Sequence, residues 1–138
     1  MVFESGPAAV GLLIARVLFG GLIAFQGLNH FLDAEGMTGY AEAKGIPAPR
    51  LAVLASGAML ALGGLGIVLG AFPVLAAALL VAFFVVVTPG MHDFWAVPED
   101  QQQDQMVHFI KNVELLAASI VFLVLGTQPW GYAVGIGL

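Results

Sequence analysis

Between Arg50 and His92 the chain reads LAVLASGAMLALGGLGIVLGAFPVLAAALLVAFFVVVTPGM (Leu51–Met91), with no charged side chain anywhere in it. A membrane-spanning helix needs about 20 apolar residues to cross ~30 Å of hydrocarbon, and this stretch is long enough for two. Gly70-Ala71-Phe72 interrupts it, and Pro73 suits the first turn of a new helix. A link that short admits only a tight antiparallel hairpin. The spacing therefore predicts two adjacent spans, about 49–69 and 73–88, the second ended by Pro89-Gly90. Gly57, Ala61 and Gly64 share one face of the earlier span, and small residues so placed let helix backbones approach closely in lipid.

On either side of the hairpin lie two further apolar runs, about 8–31 and 106–125, separated from it by loops rich in Gly, Pro and acids. The expected fold is all-α: a polytopic membrane protein, an antiparallel four-transmembrane-helix bundle forming one domain over 1–138. In the first loop, Thr38–Lys44 suits one or two helical turns, capped by Gly45 and stopped by Pro47. Asp104 stands where the last span needs an N-cap acid. The apolar tail from Thr127 carries Trp130 and Tyr132, which suit the membrane interface.

Composition agrees. Of the 138 residues 60% are hydrophobic and 9% charged, whereas a soluble domain carries about 25% charged residues. The mean hydropathy is +0.99. With no cysteine, disulfides, thiolate metal sites and thiol-relay quinone chemistry are excluded. Lys and Arg total 4 against a net charge of −5, too few cations for nucleic acid or for docking on anionic headgroups. Glu4 precedes the first apolar run and no small-residue cleavage site follows it, so that run reads as a retained helix.

Antiparallel crossing brings the end of the first span, the start of the second, the end of the third and the start of the fourth to one membrane face. That face collects Gln26, Asn29, His30, Arg50, His92, Asp93, Trp95, His108, Lys111 and Asn112. Lys44, Arg50 and Lys111 lie there too, so the positive-inside rule assigns it to the cytoplasm of a cell-membrane protein. At 100° per residue, Arg16, Gln26 and His30 fall within one stripe of the first span. His108, Lys111, Asn112 and Ser119 share a stripe of the last.

Ionisable groups inside a bilayer are expensive and face the bundle interior. The two stripes are therefore expected to face each other. Arg16 is expected to pair with Glu114, beside Lys111 on the last span. His92, Asp93, His108, Lys111 and Asn112 are expected to cluster with His30, with Asp93 fixing a histidine tautomer. The bland reading is that these groups satisfy one another structurally, with histidines at helix ends and Lys111 snorkelling or paired with Glu114. Three histidines on one face raise a metal, and His30 with His108 a haem. No pair has tight ligand spacing, which leaves metal or haem the less favoured reading.

Arg16-Val-Leu-Phe-Gly, Gln26-Gly-Leu-Asn-His-Phe31, Gly45-Ile-Pro47, Gly63-Gly-Leu65, His92-Asp-Phe-Trp95 and His108-Phe-Ile-Lys-Asn112 together resemble the DoxX family of small four-helix membrane proteins. Order and spacing hold from about Leu12 to Leu125. The resemblance implies a membrane subunit connected with electron transfer to quinones, as in thiosulfate:quinone oxidoreductase or terminal-oxidase complexes. Other four-helix relatives look like chaperones or cargo receptors.

On that footing the expected function is a quinone-interacting subunit of a membrane redox complex, an oxidoreductase subunit without its own redox centre. His30, His108 and Lys111 would bond the quinone carbonyls or deliver protons. Gln26, His92, Asp93, Trp95 and Asn112 would frame the ligand, and Arg16 would set the field. Its partners would be the bilayer, a lipid-soluble small molecule and a membrane or peripheral redox protein, with self-association open. The alternative is a non-enzymatic lipid- or small-molecule-binding protein, or an assembly factor. One departure matters: where the family often has a glutamate three residues before its Gly-Gly, this chain has Leu60. Glu114 is then the substitute partner for Arg16.

Overall fold

The computed structural model describes Met1–Gly137. Five α-helices follow one another: α1 (Gly6–Leu32), α2 (Ala34–Ala43), α3 (Pro49–Leu69), α4 (Pro73–Met91) and α5 (Glu99–Leu125), with a 3-10 turn at Phe94–Ala96. Four of the helices, α1, α3, α4 and α5, are long and apolar enough to cross a membrane.

Three boundaries differ from expectation. The whole of α2 is helical, 10 residues long, joined to α1 through Asp33 alone. Pro89 does not end α4, which runs on to Met91, where the His92 amide donates to the Thr88 carbonyl at 3.0 Å. A proline this close to a C-terminus removes one ladder bond and leaves the rest of the helix intact. The last helix begins at Glu99, so Asp104 lies inside it and caps nothing. Pro98 is the N-cap, and Glu99 and Asp100 occupy the first turn, where acids complement the helix dipole. The Gln-rich run Glu99–Gln105 is polar, yet it consists of good helix formers.

Small residues set the packing. Gly20 and Gly27 of α1 meet Gly57, Ala61 and Gly64 of α3, and a Cβ added to Gly27 would lie 2.5 Å from the Ala61 backbone nitrogen. On its other side α3 uses Gly63 against Leu80 and Gly66 against Ala76 of α4. Glycine on two faces is what a helix between two close neighbours requires. Leu12, Ile23, Leu60, Ile67, Leu80 and Phe122 belong to the core they enclose.

At the α3–α4 hairpin the bundle is closed. Gly70 (φ 66°) makes the left-handed turn there. The tail then folds back against the hairpin: Val134 N–H donates to Leu69 O (2.7 Å), Gly135 N–H to Gly70 O (3.1 Å) and Phe72 N–H to Ile136 O (2.7 Å). Arg16, 0% exposed, locks this end. Its Nε donates to Ile67 O (3.0 Å), Nη1 to Gly131 O (2.9 Å), and Nη2 to Val68 O (2.7 Å) and Tyr132 O (3.1 Å). The guanidinium also lies 5.1 Å from the Trp130 ring centroid.

The expected Arg16–Glu114 pair is thus corrected. Glu114 is exposed on α5, while the Arg16 donors are taken up by carbonyls. Ile67 and Val68 are in the last turn of α3, whose carbonyls lack helical partners and carry the negative end of the dipole. A planar fork of five N–H groups satisfies them, and a carboxylate is not required.

Candidate functional site

The other end of the bundle is hollow. A cavity of about 680 Å³ opens beneath α2, walled by α1, α3, α4 and α5. Its walls are mainly apolar, with Met59, Leu60, Phe83 and Val87 among them, and α2 contributes Met37, Tyr40 and Ala41. Of the residues singled out in the sequence, Gln26, His30, His92, Lys111 and Asn112 line it. Asp93, Trp95 and His108 do not.

His30 ends α1 facing α3. Its Nδ1 lies 3.0 Å from the Val53 carbonyl and 3.1 Å from Ser56 Oγ, which itself donates to Val53 O. A carbonyl only accepts, so Nδ1 carries the proton and Nε2 is the ring atom left for a ligand. Asn112 is 8% exposed and makes no side-chain hydrogen bond among the described residues. An amide in a cavity wall with no protein partner is free to hydrogen-bond what the cavity holds. Lys111, beside it on α5, adds an ammonium at the rim.

The remaining polar residues form a latch around the cavity mouth. Tyr40 OH donates to Met91 O (3.2 Å), and Gln105 Nε2 donates to Tyr40 OH (3.2 Å). That orients Gln105 Oε1 toward His92 Nδ1 at 3.0 Å, so His92 also carries its proton on Nδ1. His108 stacks on His92 with ring centroids 5.1 Å apart and 26° between planes. Asp93 pairs with Lys44 at 2.5 Å.

Two expectations are corrected here. Asp93 orients no histidine, because Lys44 from the end of α2 claims its carboxylate; Gln105 holds His92 instead. His108 is exposed and lies against His92 outside the cavity, so it does not join His30 in one cluster. Among the described residues no group of three His, Asp or Glu side chains could hold a metal ion. Trp95 joins Phe94 and Phe109 in an edge-to-face aromatic group, with centroids 5.2–5.8 Å apart, away from the cavity.

Ser56, Tyr40 and Gln105 escaped the sequence reading. Ser56 is the only hydroxyl between Arg50 and Thr88, a legible signal in so apolar a span. Gln105 is one of a run of glutamines, and nothing in the sequence sets it apart.

A bundle closed at one end and hollow at the other, with four bilayer-length helices, defines a multi-pass membrane protein with a cavity at one end. The chain belongs to the DoxX family, whose model matches residues 11–93, from α1 to the end of α4. It is 28% identical over 125 residues to the inner membrane protein YphA of Escherichia coli (strain K12), covering 90% of this chain and 89% of that protein. No solved structure matches it. Arg16, His30 and His92 fall within the family match; His108, Lys111 and Asn112 lie beyond it. Leu60 is 1% exposed in the apolar core.

Proposed function

We propose that the protein binds a quinone-class molecule as a subunit of a membrane redox system. The observation that carries this reading is the Asn112 amide, which has no hydrogen-bond partner in the protein among the described residues and lies in the wall of an otherwise apolar cavity. A quinone head is a flat ring with carbonyl acceptors, and it fits this donor set. The Asn112 amide and the Lys111 ammonium donate to carbonyl oxygen, and Phe83 and Met59 offer apolar contact to the ring. His30 Nε2 accepts from a hydroxyl, the form the carbonyl takes once reduced. A bound quinone supplies two-electron, two-proton chemistry. This chain supplies binding, orientation and a place for the proton, and a partner membrane or peripheral redox protein supplies the electrons. The hollow end faces the cytoplasm in this proposal, since Lys44, Arg50 and Lys111 lie there.

The second reading keeps the same cavity and removes the turnover: a non-enzymatic carrier of a lipid-soluble molecule, or an assembly factor. The exposed Trp95, packed edge-to-face on the half-buried Phe94 and Phe109, supports it as an aromatic contact point for another membrane protein. Purification in nanodiscs, solvent extraction and mass spectrometry of the extract separate the two. A stoichiometric quinone supports the first, and a different bound lipid with no quinone affinity supports the second.

A further inference from the structure

Helices α3 and α4 approach closely near their hairpin. Near the hairpin, Gly63 meets Leu80 and Gly66 meets Ala76 with no room for a Cβ. Carrying that antiparallel register toward the hollow end brings Ala55 opposite Val86 and Val87, and Ala52 opposite Gly90 and Met91. Every one of these residues lines the cavity, so the cavity reaches the seam between the two helices here. Ala55 and Val86 are also on the outer surface, Val86 being 71% exposed. In a four-helix membrane bundle that surface is lipid. The cavity therefore runs out sideways into the hydrocarbon between α3 and α4, while α2 covers it toward the water.

We infer that the ligand is an amphiphile bound head-in and chain-out, its hydrocarbon chain leaving the cavity between Ala55 of α3 and Val86 of α4 into the bilayer. This rests on the reading of the cavity as a binding site and adds the form of what it holds. The rim is shaped for it: alanine, valine and glycine form the edges and offer a chain no polar group. The head lies deeper, near Asn112 and His30. The bilayer is as apolar as the rim, so the opening adds little affinity of its own. It decides which molecules can seat their heads at all.

The test compares decylubiquinone, which has a chain, with duroquinone, which has the ring alone, by titration into the full chain in nanodiscs. Val86→Trp and Ala55→Phe fill the opening from opposite sides, and Val86 already faces lipid, so the fold tolerates it. Leu62→Trp, on the lipid face of α3 away from the opening, is the control, and the thermal midpoint reports folding. Both filled variants are expected to lose at least about tenfold in decylubiquinone affinity, the scale of a clash in a packed site, and to keep duroquinone binding. Equal retention of both compounds in both variants overturns the lateral opening and leaves the cavity standing as a site. Equal loss of both in a folded variant overturns it too, by placing the head at the rim. If neither compound binds the unmodified protein, the quinone reading itself falls, and this inference with it.

Discussion

Nε of Arg16 donates to the carbonyl oxygen of Ile67 across 3.0 Å, so a charge on α1 satisfies the open C-terminal end of α3. The same guanidinium holds Gly131 and Tyr132 of the tail. Helix end, hairpin and tail therefore share one cation. Arg16→Leu leaves buried carbonyls unpaired at ~1–3 kcal/mol each, so a loss of about 3 kcal/mol or more is expected. Arg16→Lys recovers little, because a point charge cannot reach carbonyls in several directions. Glu114→Leu has almost no effect, and adding it to Arg16→Leu rescues nothing. Thermal unfolding in detergent measures all four variants, and rescue by the double substitution would restore the Arg16–Glu114 pair.

The α1–α3 seam depends on missing side chains. Gly27→Val and Gly64→Val are expected to lower the thermal midpoint sharply, because the atoms they meet are backbone and cannot move aside. Gly11→Ala and Gly21→Ala, with open space around the new Cβ, are expected to leave it unchanged. Equal tolerance at all four positions would mean the helices do not pack as described.

Ligand retention is expected to follow the cavity wall. Asn112→Leu keeps size and apolar packing while removing the unpartnered amide, so it is expected to lose bound quinone with no loss of stability. His108→Ala is expected to keep the ligand, since that ring lies outside the cavity against His92. Quinone content per purified protein, by mass spectrometry, decides between them. Retention in Asn112→Leu together with loss in His108→Ala would relocate the site to the histidine stack.

Helix α2 is a cover tied down by the Lys44–Asp93 pair and by Tyr40. Partly exposed ion pairs contribute below about 1 kcal/mol, so Asp93→Asn is expected to leave the global midpoint almost unmoved. Hydrogen exchange of the α2 amides is expected to accelerate in Asp93→Asn, and further in Asp93→Asn with Tyr40→Phe. Unchanged exchange in the double variant would show that the latch does not hold the cover.

A chain without cysteine suits single-cysteine labelling. Ser5→Cys and Asp104→Cys are expected to react from opposite sides of the membrane with an impermeant maleimide. Reaction from one side only would break the four-crossing topology.

Much of this architecture is legible along the chain. Lipid-length apolar runs, the Gly70–Pro73 break and the shortage of charge dictate antiparallel spans, because hydrocarbon allows backbone polar groups only internal partners. The gathering of polar residues at one end follows from that topology alone, and so does the nearness of Gln26, His30, Lys111 and Asn112 around one cavity. Those are local or topological properties, and one-dimensional patterns carry them. What the chain does not display is which polar group answers which. Arg16 had a plausible carboxylate in Glu114, and Asp93 had plausible histidines. The folded chain gave Arg16 the carbonyls of a helix end and a returning tail, and gave Asp93 to Lys44. Backbone carbonyls are present at every residue and leave no mark on a sequence, so a cation satisfied by them cannot be read in advance. The cavity is likewise a product of assembly. Residues from all five helices wall it, and only the packing of one helix on another sets the space between them.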